Sequence, residues 1–240
     1  MTGSLSIILP TYNERENICE MIEYLRKNFD LAEIIVVDDN SPDRTWQLVK
    51  SKAANDSHIK LIRRSGKRNL VSSLREGICI ASRDVVVWLD CDFSMPPEII
   101  SKLVEAIDNH YDIAVGSRYI KDGNDARDSI RRVLTSRLIN KFAKWLLRSS
   151  IYDLTSGFIA SRKHVFRSII LDGCYGEYCI DFILRAERAG FKIKEIPYVC
   201  IPRLKGKTKT ASNSLVFMAK GSNYVIKIIS LINAKLNDGY

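Results

Sequence analysis

Four short apolar runs, at residues 6–9, 34–37, 60–62 and 86–89, each end in polar residues, and this constrains the fold more than any other feature of the chain. The first three lead directly into stretches with helical spacing, and the fourth into a pair of prolines that can start one. Strand then helix, repeated, predicts an α/β fold with a mostly parallel sheet and helices on both faces. After the first run, Pro10-Thr11-Tyr12 reads as a stiff exit, and Asn13 with Glu16 as a helix N-cap and its reciprocal acid. Ile18, Met21, Ile22 and Leu25 then fall at i, i+3, i+4 and i+7, one face of a helix. The second run ends in Asp38-Asp39-Asn40-Ser41-Pro42-Asp43, where Ser41 and Pro42 are predicted as N-cap and first turn. The third is followed by Gly66-Lys67-Arg68-Asn69 and a further helical stretch. A chain of 240 residues, 46% hydrophobic and 27% charged, can bury one full core. No linker-like, repetitive or low-complexity tract divides it.

The fourth run carries the chemistry. Val86-Val87-Trp88-Leu89 ends in Asp90-Cys91-Asp92, and Pro96-Pro97 turn the chain beyond. Two carboxylates one residue apart at the carboxyl edge of a sheet are hard oxygen ligands where open α/β sheets bind ligands. A divalent cation is held in such places by one or two carboxylates plus substrate phosphate oxygens. The pattern reads as a metal–nucleotide site. Alternation along the exit points Cys91 away from both aspartates, into packing. The six cysteines show no C-x-x-C pairing and only three histidines are present, so neither a zinc site nor a disulfide framework is expected. The amino terminus lacks a basic, apolar leader pattern, and every apolar stretch is shorter than the ~20 residues of a membrane span.

Charge is uneven. Residues 118–148 hold nine Lys/Arg against three Asp, and residues 196–237 hold seven and no acid, in a chain of net charge +9. Both patches attract anions: a phosphorylated substrate, an anionic membrane or a nucleic acid. Arg137, Lys141, Lys144 and Arg148, taken singly, read as a solvated helix face. A nucleic-acid module would explain the charge but not the acidic strand end, and it lacks interleaved stacking aromatics, so no nucleic acid is expected as partner.

Pro10-Thr11-Tyr12-Asn13-Glu14, Val37-Asp38-Asp39-Asn40-Ser41-Pro42-Asp43, Arg64-Ser65-Gly66-Lys67-Arg68 and Asp90-Cys91-Asp92 follow one another at strand exits. In this order they resemble the family 2 inverting glycosyltransferases of the A-type nucleotide-sugar fold. Gly116-Ser117-Arg118-Tyr119, the Arg132/Ser136/Asn140 series, Asp153-Leu154-Thr155-Ser156-Gly157-Phe158 and the 203–209 segment resemble the subgroup that makes dolichol-phosphate mannose and other polyprenyl-phosphate hexoses. The match spans residues 6 to about 209.

The resemblance implies roles for individual residues. Pro10, Tyr12 and Glu14 match positions framing the base and ribose, Asp39 with Val37 beside it matches the base-binding position, and Asp38 is equally a fold-stabilising acid for loop amides. Asp90 and Asp92 match the pair that binds Mg2+ or Mn2+ on the diphosphate. Ser94 stands where the subgroup carries Gln, and its short hydroxyl favours a bridging water over direct coordination; Met95 replaces a common His. Arg118, Arg132 and Ser136 match positions that hold the lipid phosphate, and two guanidinium forks suit a phosphate monoester. With a second pKa of ~6 that phosphate is already largely dianionic, so the acceptor needs no strong general base. Arg203 and Lys209 match a loop that closes over the donor phosphates, with Gly206 at its turn. Tyr178 to Asp181 is assigned to packing.

The resemblance thus implies a catalytic domain over residues 1–211, followed by a C-terminal amphipathic helical segment over 212–240. That segment can lie in a headgroup interface, dock on the domain or bind a small membrane protein. The implied enzyme is peripheral, on the cytoplasmic side of a membrane (the endoplasmic reticulum in a eukaryote), and moves a hexose from a nucleotide-sugar to dolichyl or polyprenyl phosphate. Mannose from GDP-mannose is the first expectation. Glucose from UDP-glucose and a saccharide acceptor are the alternatives.

Overall fold

A computed structural model describes residues 5–206 and 224–232. In chain order the elements are β1 (Leu5–Thr11), α1 (Ile18–Asn28), β2 (Glu33–Asp38), α2 (Thr45–Ala53), β3 (Ile59–Arg63), α3 (Leu70–Ile80), β4 (Val85–Trp88) and α4 (Ile99–Asp108). There follow β5 (Ile113–Ser117), β6 (Asn124–Asp125), α5 (Ile130–Leu147), β7 (Ile159–Arg162), α6 (Val165–Ser168), α7 (Tyr178–Arg188), β8 (Ile193–Pro197) and β9 (Val199–Cys200). Seven strands form one sheet in the order β3-β2-β1-β4-β7-β5-β8, and β6 pairs with β9 in a small second sheet. Within the large sheet only β7 runs antiparallel to its neighbours. Strands β1, β2 and β4 are buried on both faces, which is why they read as unbroken apolar runs rather than alternating ones.

Side chains alternate across the sheet and divide the interior into two cores. Ile8, Ile35, Val86 and Trp88 face α3 and α7, whereas Ile7, Ile34, Val87 and Leu89 face α1 and α4. The amino-terminal edge is pinned by Glu33, which accepts from Ser6 Oγ, Lys60 Nζ and the Ser82 amide. Burial alone would raise this carboxyl, but these donors outweigh it and hold it at about 2.

Two predicted helix starts are corrected. Asn13 is not an N-cap: it sits in the left-handed region (φ 56), and α1 begins at Ile18 after a turn in which Glu14 O accepts from the amides of Asn17 and Ile18. Ser41 does not start α2 either. Its hydroxyl donates to Asp38 and accepts from the Asn13 amide, and the helix begins at Thr45, where Asp43 Oδ1 accepts from both Thr45 N and Oγ1. Both residues join the β1 and β2 exits to each other, a demand between loops that outcompetes local capping.

In the carboxyl-terminal segment, residues 224–232 form a helix that docks on the domain through Ile228 and Leu231, with Lys227 paired to Asp172 at 2.9 Å. Val225, Ile226 and Ile229 stay exposed. The predicted run Leu215 to Ala219 lies outside the described residues.

Candidate active site

Because β1, β2, β4 and β5 run parallel to one another, their carboxyl ends meet at one edge. Pro10 to Glu14, Asp38-Asp39, Asp90 to Asp92 and Arg118 all emerge there, and the chain after β9 returns along it. The Leu204 amide donates to Asp92 O (3.3 Å) and the Ile201 amide to Ser94 O (3.2 Å), so residues 201–204 lie beside the D-x-D turn. Asp38 is fully buried and accepts from Thr11 Oγ1, Ser41 Oγ and the Ser41 amide, which makes it a scaffold acid. Val37 is fully buried in β2, so its side chain supports the sheet, and any donor contact there falls to the exposed chain beyond it.

Asp39, Tyr12 and Glu14 are each held by an arginine. Asp39 accepts from Arg64 Nη1 and from the Asn69 amide (3.1 Å), fixing the 64–69 loop against the β2 exit. Arg68 lies over the Tyr12 ring, its guanidinium carbon 4.3 Å from the centroid, so one aromatic face is already covered. Glu14 accepts from Arg203 Nη2 at 3.0 and 3.3 Å and from Asn17 Nδ2 at 2.7 Å. The same Arg203 Nη2 lies 3.2 Å from Asp92 Oδ2. Arg203 therefore bridges Glu14 at the β1 exit and Asp92 beyond β4, two positions the sequence had related only by motif order. Lys209 lies outside the described residues.

The D-x-D turn is shaped by its own backbone. Phe93 adopts a left-handed conformation (φ 62), Asp92 Oδ1 accepts the Ser94 amide at 3.0 Å, and the Asp90 amide points at Met95 Sδ. Ser94 thus orients Asp92 through its main chain. Cys91 is buried among apolar side chains of the α4 core. Trp88, two residues before Asp90, donates its indole N–H to Tyr178 Oη at 2.8 Å. Tyr178, read as packing, also holds the strand end that aims the aspartates.

Two carboxylates, with no cluster of three or more ligating side chains among the described residues, make no all-protein metal cage. They do fit a Mg2+ or Mn2+ ion that takes its remaining ligands from phosphate and water. The Arg203 guanidinium against Asp92 shows that this carboxylate faces a positive charge, which is consistent with such an ion beside it.

At the β5 end, Arg118 departs from the expected open fork. It is 7% exposed; Nε donates to Asp153 Oδ2 and Nη2 to Asp153 Oδ1, both at 2.7 Å, and Nη2 also reaches Thr155 Oγ1 at 2.9 Å. Burial opposes its charge, but Asp153 outweighs burial and holds the group well above its ordinary value. A guanidinium this deep needs a fixed anion, so the fold supplies one and leaves Nη1, 3.7 Å from Asp125, as the nitrogen without a hydrogen bond among the described residues. Tyr119 Oη lies 2.8 Å from Ser136 Oγ and 3.1 Å from Asp125 Oδ2, and burial pushes its hydroxyl up to about 12. Asn140 Nδ2 donates to Thr155 Oγ1 (2.7 Å) and Ser136 O (2.9 Å), while its buried Oδ1 has no partner among the described residues. Arg132, Ser136 and Asn140, four residues apart, share one face of α5.

Sequence reasoning quoted Tyr119, Asp153 and Thr155 within motifs without a role for them, and missed Asp125. It also missed the opposite face of α5, where Ile130, Leu134, Leu138, Phe142 and Trp145 are all exposed, Trp145 at 73%. Exposed Arg131, Arg137, Lys141 and Arg148 flank this stripe. The signal was present as apolar residues spaced by four, four, four and three.

A mixed sheet whose carboxyl edge gathers the Tyr12/Glu14/Asp39 corner, a paired-aspartate turn and a buried arginine cluster fits a glycosyltransferase of the A-type nucleotide-sugar fold. Residues 6–170 match the model of glycosyl transferase family 2. The chain belongs to that family. It is 36% identical over 216 residues to a dolichol-phosphate mannosyltransferase of Pyrococcus furiosus, covering 88% of this chain and 60% of that protein. It is 33% identical over 216 residues to a polyprenol monophosphomannose synthase of Mycolicibacterium smegmatis, covering 87% of this chain and 82% of the other. In fold it is similar to glucosyl-3-phosphoglycerate synthase of Mycobacterium tuberculosis in complex with Mn2+, UDP and glucosyl-3-phosphoglycerate, with a TM-score of 0.70 at 18% identity over 95% of this chain and 79% of that one. The same enzyme in complex with Mg2+ and UDP also has a TM-score of 0.70, at 18% identity with the same coverage of both chains.

Proposed function

We propose that this chain transfers a hexose, mannose from GDP-mannose in first place, to dolichyl or polyprenyl phosphate with inversion at the anomeric carbon. The observation that carries the reading is α5. Its Arg132/Ser136/Asn140 face adjoins Tyr119 and Thr155 at the catalytic edge, and its other face is the exposed apolar stripe flanked by basic residues. Rows two residues out of phase lie on opposite sides of a helix. One helix thus combines a phosphate-binding face with a surface suited to lie in a headgroup layer. The names of the two mannosyltransferase relatives support mannose and a lipid phosphate. UDP-glucose remains the second donor, and a saccharide acceptor is disfavoured by the arginines and hydroxyls around residues 118–136.

In this reading Tyr12, Asp39 and Glu14 frame the nucleoside, and Arg203 follows the diphosphate. A cation held by Asp90 and Asp92, Mg2+ or Mn2+, would neutralise charge on the departing diphosphate. Arg132 and Ser136 bind the acceptor phosphate, which attacks as an oxyanion already formed at neutral pH. Arg118 is a positioning residue: anchored on Asp153, it orders Thr155 and Tyr119 and offers its remaining nitrogen, Nη1, toward the phosphate. The donor-side role of Lys209 rests on the resemblance alone, and Ser94 would assist a bound cation through a bridging water. In this reading attachment is peripheral, with the active edge toward the cytoplasm; among the described residues no helix is long and apolar enough to cross a membrane. A small membrane protein is a candidate partner for Val225, Ile226 and Ile229.

Two tests bear on this. Arg132→Ala is expected to raise the acceptor KM about 10- to 100-fold, from loss of a charge-assisted hydrogen bond of ~1.5–3 kcal/mol, with donor Kd unchanged by calorimetry. Equal weakening of donor binding would move Arg132 to the other substrate. Leu138→Asp with Trp145→Asp is expected to release the protein from anionic vesicles in sedimentation while its rate on a short, detergent-soluble acceptor persists. Unchanged sedimentation would place the membrane contact elsewhere.

A further inference from the structure

Away from the catalytic edge, a groove of about 1050 Å3 runs between the outer side of α3 and the segment that follows β7. Its apolar wall is Ile78, Phe166, Ile169 and Leu171, continuous with the core. Around this wall stand five Arg or Lys residues against two carboxylates, Glu76 and Asp84. Three of the five cations have structural duties. Arg64 holds Asp39 and Glu76, Arg162 donates to the Ile107 and Tyr111 carbonyls, and Lys163 to the Ala81 carbonyl. Arg75 on α3 and Arg167 on α6 are different: both are exposed and line the groove, and among the described residues neither side chain forms an ion pair or hydrogen bond.

We propose that this groove is a second ligand site, separate from the donor and acceptor positions, for an organic phosphate carried on an apolar body. The body would lie along Phe166 and Ile169, and the phosphate between Arg75 and Arg167. Guanidinium groups recognise phosphate through paired hydrogen bonds, and two of them free of protein partners above an apolar floor match both halves of such a molecule. Arg64 forms one wall of the groove and also grips Asp39 at the nucleoside corner, so the two sites share a side chain.

Cys79 is an exposed thiol in the groove lining and reports occupancy directly; Cys174 is exposed outside the lining and serves as an internal control. The full chain is alkylated with iodoacetamide, with peptide mass spectrometry following each cysteine, in the presence of decyl phosphate below its micelle concentration or of inorganic phosphate. At ten times the Kd, mass action predicts an about tenfold slower reaction of Cys79 with decyl phosphate, and no change at Cys174. Arg75→Glu with Arg167→Glu is expected to remove the protection while leaving the far-ultraviolet spectrum unchanged. Weaker protection by inorganic phosphate fits a site that uses the apolar floor, and equal protection would reduce the site to a simple anion site and overturn the assignment of the body. Absence of protection at Cys79, equal slowing of Cys174, or protection that survives the double charge reversal overturns the proposal. None of these outcomes depends on the transfer reaction.

Discussion

Asp92→Asn is expected to abolish most turnover, by about 100-fold or more, while the melting temperature stays near that of the parent. The substitution removes one unit of negative charge where, in the proposed reading, a cation is held, and losses at metal ligands exceed the ~10–100-fold typical of their supporting groups. It removes no core volume, since Asp92 sits at the rim with its side chain 17% exposed. The amide retains one oxygen to accept from the Ser94 amide, so the turn survives. Calorimetric titration with Mn2+ in the presence of nucleoside diphosphate should show the same loss as the rate. Chelation should mimic it in the parent, and added Mn2+ or Mg2+ should reverse the chelation. Near-normal turnover of folded Asp92→Asn would remove the carboxylate pair from the mechanism.

The largest stability effect is expected at Asp153, which lies 35 residues from the arginine it neutralises. Asp153→Ala leaves the Arg118 guanidinium buried with its fork unmatched, and breaking one side of a buried pair costs ~3–5 kcal/mol. For a chain of this size that corresponds to a fall of about 10 °C in the melting temperature. Replacing both residues by apolar side chains, Arg118→Met with Asp153→Leu, should recover most of the loss in stability and none of the activity. That split separates anchoring from catalysis. A single Asp153→Ala variant as stable as the parent would mean that the ion pair is open to water and that Arg118 is free to clamp substrate.

The contrast between those two residues also marks what a linear reading can reach. Asp90 and Asp92 were legible because a buried strand must end where its apolar run ends, and a carboxylate placed there can only face the sheet edge. The strands themselves were legible for the same reason. Asp153 was visible as part of a motif, but its duty depends on β7 entering the sheet antiparallel between β4 and β5, and no local pattern encodes that insertion. The helix starts at Asn13 and Ser41 failed because each side chain serves the neighbouring loop instead of its own helix. Helix α5 was half legible: its basic residues were counted as charge, while its apolar residues at 130, 134, 138, 142 and 145 went unread. Their spacing has a helical period, but an apolar stripe ordinarily means a face turned toward the core, and exposure is a tertiary fact.

The account rests on transfer of a hexose to a lipid phosphate, and a single partition assay tests it. The full chain is incubated with Mn2+, radiolabelled GDP-mannose or UDP-glucose, and a short polyprenyl phosphate in detergent, with a free oligosaccharide as the competing acceptor. The expected result is label moving into the organic phase from GDP-mannose, dependent on both the metal and the lipid phosphate, and released by mild acid as free mannose. Label from either donor that stays in the aqueous phase and appears on the oligosaccharide, with none on the lipid, would contradict the account.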